Sequence, residues 1–204
     1  MGRLLGWMVA ATLATSGQAF AADTAKDAMG KIGSAMSYLD KLGRPVPAEE
    51  DLKDAEAICK EIHDDACLAQ AWRAWGYYFR SDALARWKGA RFNGPALYDP
   101  SVKFEQRYER SIQYYDKALD LYAGMHDTHW ISNIEMQKAF AYQRANRLDD
   151  ACRALQASRE ADQKYGDGKS LGPPGKTFAQ YLDELGGAIH CGRAAQPIEL
   201  AASR

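Results

Sequence analysis

No stretch of this chain alternates apolar and polar residues over the length of a strand, and beyond residue 21 valine is limited to Val46 and Val102. A half-buried sheet needs that alternation and favours β-branched residues, so an all-β or α/β fold is excluded. Neither sign of charge is in excess: 26 Lys and Arg stand against 27 Asp and Glu, for a net charge of −1. That balance gives no reason to expect nucleic acid or an acidic membrane surface as a partner. No Ser lies in a Gly-x-Ser-x-Gly elbow, and Gly168-Lys169-Ser170 lacks the upstream glycine of a phosphate-cradling loop. No apolar run after the first 21 residues approaches the roughly 20 needed to span a bilayer.

The first 21 residues differ from the rest. Arg3 is their only charge, Leu4 to Ala14 is mostly apolar, and Ala19-Phe20-Ala21 is the small-x-small pattern that signal peptidase reads. This order implies a secretory signal at 1–21, cut after Ala21, and a periplasmic location. Cleavage would leave 183 of the 204 residues, a length that suits one domain, with a net charge of −2. No Cys follows the apolar run, which argues against a lipoprotein. The four cysteines, Cys59, Cys67, Cys152 and Cys191, all fall in the mature part. An even number in an exported chain favours disulfides. Of the three possible pairings the local one, Cys59–Cys67 with Cys152–Cys191, is expected.

What is abundant is Ala, Leu, Glu, Lys, Arg and Gln, all helix formers. Their apolar stripes predict helices over about 24–42, 48–62, 65–87, 101–123, 128–145, 148–165 and 176–190. Pro47 with Glu49, Glu50 and Asp51 marks the start of the second, where the helix dipole favours acids. Asn93-Gly94-Pro95 and the glycines and prolines of 166–175 mark irregular connections. The domain is placed at 22–192, with 193–204 as a tail. The fold class is all-α, disulfide-stabilised.

Residues 130–165 carry a repeat-like spacing: Ala139, Tyr142, Asn146, Leu148, Ala151, Leu155 and Ser158. Ala139 permits close helix approach, Asn146 tolerates a left-handed turn, and Ala151 with Ser158 makes a shallow strip for a neighbouring helix. Ser111, Tyr115 and Ala118, with Trp72, Trp75, Gly76 and Phe79 before them, repeat the pattern. This arrangement resembles the tetratricopeptide repeat. Gly76 to Ser111 spans 35 residues, where such a repeat places about 12, so about 23 are inserted. The resemblance implies antiparallel hairpins stacked as a short solenoid, a groove, a protein or peptide partner, and no catalysis.

Aromatic and Arg residues are dense between 72 and 98, the composition of binding hot spots. With Trp72, Trp75 and Phe79 facing inward, Arg73, Tyr77 and Arg80 of the third helix, with Arg91, Phe92 and Tyr98 of the insert 81–100, are the expected binding residues. The expected role is a periplasmic scaffold or adaptor, one form of which is an immunity or inhibitor protein against a toxic enzyme. The alternative is a metal-handling or enzymatic protein using His126 and His129, three apart and therefore on one face if helical. No cofactor is expected.

Overall fold

The computed structural model describes residues 14–87, 100–165 and 172–191, with side chains from Thr24 onward. The described residues are helical, with no strand among them. Helix α1 is Ala14–Ser37, extended by a wider turn over Tyr38–Leu42. Then follow α2 (Pro45–Glu61), α3 (Asp65–Arg80), the short α4 (Asp82–Arg86), a 3-10 turn at Phe104–Gln106, α5 (Arg107–Gly124), α6 (Thr128–Arg144), α7 (Leu148–Tyr165) and α8 (Phe178–Ala188). None is long and apolar enough to cross a membrane. Helix α1 passes through the Ala21–Ala22 bond. The core residues described for it are Ala28, Ile32, Ala35 and Leu39, so cleavage there would remove none of them.

Three departures from the sequence reading have local causes. Helix α2 begins at Pro45, not near Pro47, because either proline can occupy a first turn that needs no N–H. Glu49 therefore lies in the second turn, is 2% exposed, and accepts a 3.1 Å hydrogen bond from the Tyr78 hydroxyl; the helix dipole is not its reason for being there. Helix α3 stops at Arg80 instead of running to Trp87. Ser81 is extended (φ −65°, ψ 148°), and its Oγ caps α4 by accepting from Leu84 N at 3.2 Å. Finally, part of the insert 81–100, expected to carry binding residues, is core: Ala83 and Leu84, with Val102 just beyond it, are buried in the same cluster as Leu52, Trp75 and Phe79.

The helices pack in chain order. Helix α1 lies against α2 and α3, α3 against α5 and α6, α6 against α7, and α8 against α7. Small residues set the close approaches. Ser111 Oγ donates to Gly76 O at 2.6 Å, and Ser158 Oγ donates to Ser132 O at 2.8 Å. Ala118, Ala139 and Ala151 are buried beside them. Trp75, Phe79 and Tyr114 stack with centroids 5.7–6.0 Å apart. The core runs without a break: Trp72 touches both the first and the middle cluster, and Tyr142 both the middle and the last. The sulfurs of Cys59 and Cys67 lie 1.99 Å apart and those of Cys152 and Cys191 2.07 Å apart, which is the expected pairing.

One turn recurs four times. His63, His126, Asn146 and His190 all have φ between 53° and 63° and end α2, α5, α6 and α8. In each, the next residue's N–H closes back on the helix: Asp64 to Cys59 O, Asp127 to Tyr122 O, Arg147 to Tyr142 O and Cys191 to Gly186 O. This is the left-handed helix stop normally made by glycine or asparagine. Asp64 and Asp127 then cap the following helices, accepting from Cys67 N at 2.9 Å and Trp130 N at 3.1 Å. His126 is exposed, so its backbone angle alone sets the cost of replacing it. Replacing the left-handed β-carbon removes about 1–2 kcal/mol of strain, and glycine gives back about 0.5–1 in chain entropy. His126→Gly should therefore raise stability by up to about 1 kcal/mol, while His126→Val, β-branched at positive φ, should lower it by a similar amount. Urea midpoints of the two variants check this, and equal midpoints would refute the strain argument.

Candidate binding face

Arg73, Tyr77 and Arg80 are four and three apart on α3 and share one face, as the helical period requires. They do not project freely. The structure places them in the seam where α3 meets α6 and the end of α1. Arg80 is 9% exposed. Its Nε donates to Tyr115 Oη at 2.9 Å, its Nη2 donates to Gln137 Oε1, and its carbonyl accepts from Arg144 Nη1 at 3.0 Å. The guanidinium carbon lies 4.6 Å from the centre of the Tyr77 ring and 5.4 Å from that of Phe140. The expectation that Arg80 faces a partner unencumbered is thus corrected: it is the tie between α3, α5 and α6.

Tyr77 and Arg73 are half-buried. The Tyr77 hydroxyl donates to Asp40 at the end of α1. Arg73 Nε donates to Gln70 Oε1 at 2.8 Å, and its guanidinium covers the Trp130 ring at 5.0 Å. Burial pushes the Arg73 guanidinium below arginine's usual value. Facing these three side chains, α6 presents Trp130, Gln137, Phe140 and Arg144, whose spacings of seven, three and four put them on one face too. The sequence reading did not select them, although that spacing was there to be read. Arg144 is exposed and pairs with Asp82 at 2.6 Å. Trp72, expected inward, is half-buried and donates from Nε1 to Glu56 at 3.2 Å, whereas Trp75 and Phe79 are wholly buried. Arg91, Phe92 and Tyr98 lie outside the described residues.

The phenol of Tyr77 is pushed up to about 12, first by burial and then by its bond to the Asp40 carboxylate; burial also raises Tyr78 and Tyr122. A raised folded pKa means that the fold favours the protonated phenol. That contribution is complete below the unfolded value near 10 and is lost as pH climbs through about 12. Absorbance at 295 nm should therefore show a late tyrosine step, smaller by one phenol in Tyr77→Phe, and stability should fall between pH 10 and 12. A single step near 10 would refute the burial.

The histidine pair lies at the turn between α5 and the start of α6. His126 sits in the exposed turn, while the His129 ring packs 4.9 Å from that of Tyr165 and 5.5 Å from that of Trp130. Among the described residues no three His, Cys, Asp or Glu side chains are placed to hold a metal. Against protein-family models, curated proteins and solved structures, the chain gives no match.

Proposed function

We propose that the chain is a non-catalytic interaction module, exported to the periplasm after cleavage behind Ala21, which binds another protein or peptide along the face where α1, α3 and α6 meet. The proposed arrangement is a short tetratricopeptide-like solenoid of the pairs α1/α2, α3/α5 and α6/α7. Repetition of one turn geometry at His63, His126 and Asn146 supports it. So does the packing of α3 on both α1 and α6, the first helices of the neighbouring pairs.

The observation that carries the functional reading is the row of half-buried aromatic and Arg side chains on that face, Arg73, Tyr77, Trp130 and Phe140. Such side chains supply large contact area with few rotamers to freeze. An immunity or inhibitor role is the specific form proposed, the partner then being a toxic enzyme. The test is retention of a partner from periplasmic extract on the immobilised oxidised chain. Tyr77→Ala with Phe140→Ala should abolish retention while preserving the helical signal. Arg153→Ala, on the exposed side of α7, should not affect it. Equal retention by both variants would remove this face from consideration.

A further inference from the structure

Several cations sit against a carboxylate. Lys31, Lys138, Arg144 and Arg147 each have one within 2.6–2.8 Å. Arg73 and Arg80 are different: no carboxylate lies within 4 Å of either guanidinium among the described residues. The acids that border the seam are already engaged, Asp40 by the Tyr77 hydroxyl and Asp82 by Arg144. Of the five N–H donors of Arg73, only that on Nε has a partner among the described residues. Arg80 uses Nε and Nη2. Neither Nη of Arg73, nor Nη1 of Arg80, is among the buried polar atoms that lack a partner. Arg73 is half-buried and Arg80 is 9% exposed, and rings cover the faces of both guanidinium groups.

A partly desolvated guanidinium without a counter-charge is costly, and a bound anion offsets that cost. We infer that this seam receives an acidic polypeptide segment, one carboxylate held end-on by Nη1 and Nη2 of Arg73 and a second by Nη1 of Arg80. The inference deepens the proposed function and rests on the same face. Geometry favours carboxylates on a polypeptide over a phosphate chain. The two arginines are seven residues apart, about 10.5 Å along the helix. Residues three apart in a polyproline II segment lie on one side of it and span about 9 Å, close to that distance. Trp130, Tyr77 and Phe140 between and beside them would take the apolar side chains of such a segment, and the net charge of −1 offers a polyanion no general attraction.

The test is fluorescence anisotropy of the oxidised full chain with a labelled proline-rich dodecapeptide of polyproline II form carrying two Glu three positions apart, and with its Gln twin. The Glu peptide should bind at least ~10-fold more tightly, a gap of ~1.4 kcal/mol, and the gap should narrow between 50 and 300 mM salt. Arg73→Gln should narrow it markedly, leaving only the share held by Arg80. Arg73→Lys should restore part of the gap, because a point charge lacks the fork. Arg153→Gln should leave it unchanged, and thermal melts would show that each variant folds. No gap in the parent, a gap undiminished by Arg73→Gln, or equal competition by a short oligonucleotide would each overturn the inference. Loss of the extract partner on changing Tyr77 and Phe140, with no Glu-over-Gln gap, would leave the interaction module standing and remove only the acidic anchor.

Discussion

Gly76→Val should lower the stability of the fold by about 3 kcal/mol or more. A β-carbon built at Gly76 would lie 2.5–2.8 Å from three carbons of the Tyr115 ring. That ring cannot step aside. Tyr115 is wholly buried, its hydroxyl accepts from Arg80, and the Gly76 carbonyl beside it accepts from Ser111. In a helix interior glycine costs about 1 kcal/mol relative to alanine, so its presence in mid-α3 runs against local propensity. The close approach of α5 explains it. Gly76→Ala should then be destabilising as well, by less, because the overlap exceeds the propensity gained. The two residues should be coupled: in a Tyr115→Ala background, itself costly, the further loss on Gly76→Val should fall below about 1 kcal/mol. Urea denaturation of the four proteins of this cycle measures the coupling. Additive losses would mean that Gly76 is not the contact surface for α5.

The same contact shows what can be read from a sequence of this kind. Ser111, Tyr115 and Gly76 are visible as small, aromatic and small positions because each reports the face of its own helix. Asn146 is legible as a left-handed turn, and the local disulfide pairing is legible because both partners flank helix ends. Arg80 is not legible. Its spacing from Arg73 and Tyr77 says only that the three share a face. What that face meets depends on the crossing of α3 with α6, a property of neither helix alone. Glu49 is hidden for a similar reason. An acid near a proline looks like a first-turn residue until Tyr78, 29 positions later, is found holding its carboxylate. The left-handed backbone at the three histidine turns is harder to read, because histidine is read first as chemistry and only then as backbone. His63, followed by the capping Asp64, and His126, followed by Asp127, carry the relevant signal.

Replacing both Cys152 and Cys191 by Ala should give the second large effect, and a different kind of loss. The bridge closes a loop of 39 residues and the other closes 8. Chain entropy alone assigns about 4 kcal/mol to the first and about 2.5 to the second. Their places in the fold differ as well. Cys59 and Cys67 are buried at 0% and 4% exposure, inside the cluster that joins α2 to α3. Cys152 and Cys191 are half-buried at the far end, where α8 rests on the last pair through Phe178, Leu182 and Ile189. Only Phe178 and Leu182 of α8, with Ile189 at its end, are buried in that cluster, so the disulfide carries a large share of what holds α8 in place. Without it α8 should open locally: its amides should exchange with solvent almost unprotected, while those of α3 keep their protection. Losing Cys59–Cys67 should instead lower protection throughout the first three helices. A water-soluble phosphine should also reduce the half-buried Cys152–Cys191 bridge before the buried one. If α3 and α8 lose protection together in the Cys152/Cys191 variant, the last helix is an integral part of the cooperative core and the latch is refuted.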